Sequence, residues 1–100
     1  RVFMKKNEKE ELALIFKTLS NPIRLTMLEH IATCDGSCHK HNISELSKLC
    51  DLDFSVVSRH LKALKDAKIL SATKHKNDVL YQVSSKELVK KLNSFIDILR

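Results

Sequence analysis

Ile43-Ser-Glu-Leu-Ser-Lys-Leu-Cys50 is a short amphipathic run, and after Asp51-Leu-Asp53 comes a second, Phe54-Ser-Val-Val-Ser-Arg59-His-Leu-Lys-Ala-Leu-Lys65-Asp-Ala67. Ile43, Leu46 and Cys50 recur at helical spacing in the first; Val57, Leu61 and Leu64 do so in the second. Asn42 stands three residues before Glu45, and Asp53 immediately precedes the second run, so each begins on a residue type that caps orphan backbone amides. The spacing predicts helices over 43–50 and 54–67. A short helix, a tight turn and a second helix form the centre of the fold, and the rest of the chain is read outward from them.

Start signals of the same kind recur on both sides. Asn7 stands three before Glu10, and Ser84 three before Glu87. Asn21 is followed by Pro22, a cap with proline at the first helical position, where the missing amide costs nothing. These signals predict helices over 8–19, 22–33 and 85–99. Their apolar faces are Leu12, Phe16 and Leu19; Leu25, Leu28 and Ile31; and Leu88, Leu92, Phe95 and Leu99. Met4 and Met27 read as core or terminal filler. Between the fourth and fifth helices the period shortens: Ile69–Thr73 and Val79–Val83 are β-prone runs separated by Lys74, His75, Lys76, Asn77 and Asp78, a hairpin with a charged tip. Two strands alone are marginal, so this hairpin must lean on the helices. The expected architecture is one domain over residues 1–100, mainly α with a small β-hairpin (α+β): a winged helix-turn-helix of five helices and a two-stranded wing.

Composition agrees. One glycine and one proline in 100 residues, against about 12 per hundred in average usage, leave no material for the tight turns of sandwiches and barrels or for phosphate-cradling glycine loops. The longest apolar run, Leu12–Phe16, has five residues, far short of the roughly 18 a membrane span needs. Eighteen lysines and arginines face twelve acids, a net charge of +6. Residues 54–76 hold six of those cations and one acid, a local +5. A basic stripe of this kind suits a polyphosphate partner, because each neutralised phosphate releases a counterion. Three cysteines, with no signal peptide apparent, suggest reduced thiols in a cytosol rather than a structural disulfide. The chain opens on Arg1 rather than Met, so preceding residues are expected and could add ligands.

With Val57, Leu61 and Leu64 inward, the second helix of the central pair turns Ser55, Val56, Ser58, Arg59, Lys62 and Lys65 outward. A recognition helix needs side chains on base edges near its N-terminus and cations along its flank. Arg59 can fork onto guanine, Ser55 and Ser58 can serve phosphates or bases, and Val56 or Phe54 can meet a thymine methyl. Lys74, His75 and Lys76 at the wing tip would reach the sugar-phosphate backbone or a minor groove. Two plainer readings stand beside these: a solvated surface helix, and a hairpin kept from edge pairing by its charge.

These residues resemble a known family. Phe16-Lys-Thr-Leu-Ser-Asn-Pro-Ile-Arg-Leu25 looks like the opening signature of the ArsR/SmtB transcriptional repressors, and Val57-Ser-Arg-His-Leu-Lys-Ala-Leu64 looks like their recognition helix. Ile43-Ser-Glu-Leu46 and Leu80-Tyr-Gln-Val83 extend the likeness over nearly the whole chain. The resemblance implies a homodimeric, nucleoid-associated repressor that reads an imperfect palindrome in double-stranded DNA and leaves this operator when a metal, metalloid or thiol oxidant binds. It also implies that the first and last helices form the dimer interface. Leu88, Leu92, Phe95 and Leu99, spaced 4, 3, 4, are then its seam, or alternatively a stripe that closes the core within one chain.

Two sensor sites common in that family are missing. Aligned through Glu45-Leu46, the positions of its Cys-x-Cys pair hold Asn42 and Ser44, and the last helix offers Glu87 and Asp97 but no histidine. What remains is Thr33-Cys-Asp-Gly-Ser-Cys-His-Lys-His-Asn42, about four residues longer than the family pattern. Cys34, Cys38, His39 and His41 could hold a soft or borderline ion: zinc, cadmium, copper(I) or, with a third thiol, arsenite. Cys34 and Cys38 could instead form a reversible disulfide, or the loop could be an ordinary polar surface. Cys50 shares a face with Ile43 and Leu46 and reads first as a small buried hydrophobe, with a third-ligand role as the alternative. His60 reads as a helix-packing residue and His30 as exposed. No nucleophile has a partner and no serine an elbow glycine, so an enzyme is not expected. Two other functions stay open: a winged-helix module docking an acidic protein, and a repressor with no small inducer.

Overall fold

The computed structural model describes residues 3–33 and 42–100, in the order α1 (Lys6–Leu19), α2 (Pro22–Ala32), α3 (Ile43–Cys50), α4 (Phe54–Asp66), β1 (Leu70–His75), β2 (Asp78–Val83) and α5 (Ser85–Leu99). Two of the expected caps form. The Asn21 side chain accepts from the amides of Ile23 at 2.8 Å and Arg24 at 3.4 Å, and Asn42 accepts from Glu45 at 2.8 Å. Asn7 does not cap α1: the helix starts a residue before it, with the Glu8 carboxylate accepting from the Lys5 amide at 3.3 Å and Met4 packed against the core. Asp53 and Ser84 precede α4 and α5 without a side-chain cap; there the backbone carbonyls of Asp53 and Ser84 accept from Val57 and Leu88.

The core gathers Leu12 and Ile15 of α1, Met27 and Ile31 of α2, Leu46 of α3, Val57, Leu61 and Leu64 of α4, then Ile69, Leu70 and Leu88. For α3 and α4 the faces are those the spacing predicts. For α1 and α2 the face is rotated. Ile15 and Thr18 are buried while Phe16 is 44% exposed; Met27 is buried while Leu25 is 50% exposed. Leu12–Phe16 is apolar all round, so its period could not select a side, and docking on α2 and α4 selected it.

The wing is also tighter than expected. β1 and β2 pair antiparallel from Leu70↔Val83 to His75↔Asp78, leaving only Lys76 and Asn77 as the turn, with Lys76 at φ 57°. Lys74 and His75 therefore belong to a strand, because pairing continues to the end of the ladder. α5 packs against α1: the Phe16 and Phe95 rings meet, and Lys91 Nζ lies 2.9 Å from Glu11 Oε2. The radius of gyration is 14.7 Å, above the roughly 13 Å of a compact 100-residue domain, with principal extents of 46 × 25 × 22 Å. No helix among the described residues is long and apolar enough to cross a membrane.

Candidate nucleic-acid interface

The turn between α3 and α4 is set by Asp51, in the left-handed region at φ 53°, a conformation aspartate tolerates better than most residues. The Leu52 amide donates back to Ser47 O at 3.1 Å and closes it. α4 is then seated by Val57, Leu61 and Leu64, all fully buried. Helical geometry opposite those three residues places Ser55, Arg59 and Lys62 along one outward line, one turn apart. All three are exposed.

The other expected contacts distribute around this line. Ser58 and Lys65 are exposed on its flank, and Lys65 lines an open cleft with Lys68, Lys91, Glu11 and Glu87 rather than joining Arg59. Val56 is half-buried on the opposite flank. The adjoining aromatic at the head of the helix, Phe54, is 58% exposed and better placed for apolar contact with a base. Lys62 Nζ is 3.1 Å from Asp66 Oδ2, an exposed pair that holds the amine along the helix.

In the wing, Lys74, His75 and Lys76 are all exposed. They do not form one patch. Side chains alternate across a strand, so Lys74 shares a face with Ala72 and Tyr81, whereas His75 shares the other with Thr73, whose hydroxyl accepts from Gln82 Nε2 at 3.3 Å.

A pair absent from the sequence reading lies beneath α4. Arg24 Nε donates to His60 Nδ1 at 3.1 Å, and Arg24 Nη1 donates to the Thr18 carbonyl at 3.1 Å. Burial, with Arg24 and Arg59 close by, holds the His60 imidazole below its ordinary value. His60 is thus a helix-packing residue, as its place in the sequence suggests. Arg24 carried no local signal, since its partner is 36 residues away.

Of the sensor residues, Cys34, Cys38, His39 and His41 lie outside the described residues. Cys50 is half-buried against the core, and burial pushes its thiol up, which disfavours the thiolate that ligates metals. Among the described residues, no three histidines, cysteines or carboxylates converge to hold an ion.

The profile of bacterial regulatory proteins of the arsR family matches residues 21–72, which hold α2, the α3–turn–α4 unit and the start of the first strand of the wing. The chain belongs to the arsR family. It is a transcriptional regulator with a DNA-binding winged helix. Solved structures share the fold of this ArsR-family chain. An ArsR-like transcriptional regulator from Rhodococcus sp. RHA1 superposes with a TM-score of 0.80 at 22% identity, covering 92% of this chain and 82% of that one. HlyU from Vibrio cholerae superposes at 0.71 and 24% identity over 95% and 97% of the two chains. A winged helix-turn-helix DNA-binding domain from Mycobacterium bovis, described as homodimeric and as a possible ArsR-family transcriptional regulator, superposes at 0.71 and 16% identity over 99% and 89%. No curated protein sequence matches the chain significantly.

Proposed function

We propose that this ArsR-family chain is a homodimeric repressor of the prokaryotic cytoplasm whose two α4 helices read an imperfect palindrome in double-stranded DNA. The observation that carries the reading is the line Ser55, Arg59, Lys62, held outward by three fully buried residues behind an aspartate turn. Arg59 reads a guanine, Ser55 and Phe54 sit over neighbouring base edges, and Ser58, Lys62 and Lys65 hold phosphates beside the groove. Lys74, His75 and Lys76 track the flanking backbone. Dimerisation is supported by the apolar surface of α5 and by the homodimeric state described for the Mycobacterium bovis domain. Release is assigned to Cys34 and Cys38, with His39 and His41, through a soft metal ion or a reversible disulfide. Cys50 stays outside that set because it is packed as a neutral thiol.

Fluorescence anisotropy on DNA selected from a random pool tests the reading. Affinity falls with salt at about −0.9 per phosphate contact. Arg59→Ala costs about 1–3 kcal/mol per half-site and relaxes preference at one base position, whereas Lys62→Ala weakens all sequences alike. Salt-independent binding, or binding to an acidic protein that survives Arg59→Ala while no DNA is selected, overturns it in favour of a protein-docking module.

A further inference from the structure

Arg24 makes two hydrogen bonds that serve no cap or helix of its own. Its guanidinium donates through Nη1 to the Thr18 carbonyl in the last turn of α1 and through Nε to His60 Nδ1 in the middle of α4, both at 3.1 Å. One side chain of α2 thus spans from the end of α1 to the helix that carries Arg59. We propose that Arg24 is a positioning residue for DNA reading: through a neutral His60 it fixes the roll of α4, and protonation of that imidazole releases the helix. The inference rests on α4 being the reading helix.

The chemistry is set by the donor and acceptor inventory. Arginine has no acceptor, so the bond exists only while Nδ1 carries a lone pair, which assigns the Nε2–H tautomer to the neutral ring. A proton on Nδ1 turns acceptor into donor and places an imidazolium facing one guanidinium, Arg24 of α2, and beside another, Arg59 of its own helix. Among the described residues, those two cations are the charges acting on the ring, and no carboxylate from α1, α3, α4 or β1 offsets them. The structure therefore answers a proton at this position by separating α2 from α4. Arg59 immediately precedes His60 on α4, so a roll of the helix about its axis moves the arginine across the groove floor, and bidentate base contacts do not survive such a shift.

The sign of the pH dependence separates this reading from simple electrostatics. Added positive charge near DNA tightens binding. A positioning role loosens it, because the operator-competent form excludes the proton, and each pH unit below the free protein's value for the ring costs up to about tenfold per subunit.

The test is operator affinity at pH 7.5 and 5.5, at constant ionic strength, on a labelled DNA duplex enriched from a random pool by the unmodified protein at pH 7.5. Every variant carries His75→Gln to remove the wing imidazole; His30, His39 and His41 are common to all. The parent loses affinity on acidification, by more than the roughly twofold that separates it from His60→Asn at pH 7.5. His60→Asn, whose Oδ1 takes the place of Nδ1 and does not titrate, binds within about twofold of the parent at pH 7.5 and keeps that same affinity at pH 5.5, where the parent has weakened. Arg24→Ala binds weakly at both. Nitrogen-15 NMR of the free protein reads the same pair without DNA: the ring is the Nε2–H tautomer, and Arg24→Ala raises its titration midpoint. Tighter binding by the parent at pH 5.5, an equal pH loss in His60→Asn, or an Nδ1–H tautomer overturns the proposal. A pool that yields no bound duplex overturns the reading of α4 instead, and the tautomer then decides the pair alone.

Discussion

The Phe95 ring of α5 meets the Phe16 ring of α1 edge to face, with centroids 5.5 Å apart and planes at 65°. Such pairs add about 0.5–1.5 kcal/mol beyond the area they bury, and with the Glu11 and Lys91 ion pair this contact holds the last helix in place. Held so, α5 turns Val89, Ile96 and Leu99 to the outside, spaced 7 and 3 on one side of the helix, with Leu99 67% exposed. This apolar strip is the α5 surface on which the dimer proposed above would close.

Replacing Val89 and Ile96 together by glutamate is expected to convert the dimer to a folded monomer, because like charges would then face each other across a twofold axis. Sedimentation velocity reads the mass and circular dichroism the fold. Retention of the dimer by the double variant would place the interface elsewhere. The monomer should also lose most of its affinity for a two-half-site duplex while still binding salt-dependently.

The caps make an internal control for stability. Asn42→Ala removes an acceptor 2.8 Å from the Glu45 amide and is expected to cost about 1 kcal/mol, with a range of about 0.5–2. Asn7→Ala, at a position the sequence marks as a cap and the structure places inside α1, is expected to change stability by less than about 0.5 kcal/mol. Urea midpoints at fixed protein concentration compare the two. Equal losses would contradict the boundary of α1.

Thiol chemistry separates the three cysteines. Cys34→Ser with Cys38→Ser should keep operator affinity and lose release by zinc, cadmium or a disulfide-forming oxidant, whereas Cys50→Ala should keep both. A thousandfold release corresponds to about 4 kcal/mol of coupling between signal and DNA. Because burial raises the Cys50 thiol above the ordinary cysteine range, its alkylation should be slow at pH 8. Unchanged release in the double serine variant would move the sensor, and no release of the parent by any of these agents would favour a repressor without an inducer.

Most of the architecture was legible locally. Caps at Asn21 and Asn42, proline at Pro22, the change from helical to alternating period after residue 68, and the face Val57, Leu61, Leu64 all depend on residues within about one turn of one another, where propensity and capping act. The outward line Ser55, Arg59, Lys62 follows from that face without further information. Where the local pattern was degenerate, tertiary contact decided. Leu12–Phe16 has no polar side, so docking on α2 and α4 buried Ile15 and sent Phe16 to Phe95. Strand alternation in a hairpin that closes over two residues split Lys74 from His75. The bond between Arg24 and His60 joins residues 36 apart; neither the spacing nor the composition around either one encodes the other. Hydrogen bonds of this kind form only after the hydrophobic faces have brought α2 and α4 together, and they are directional over about 3 Å, a scale that sequence periodicity does not resolve.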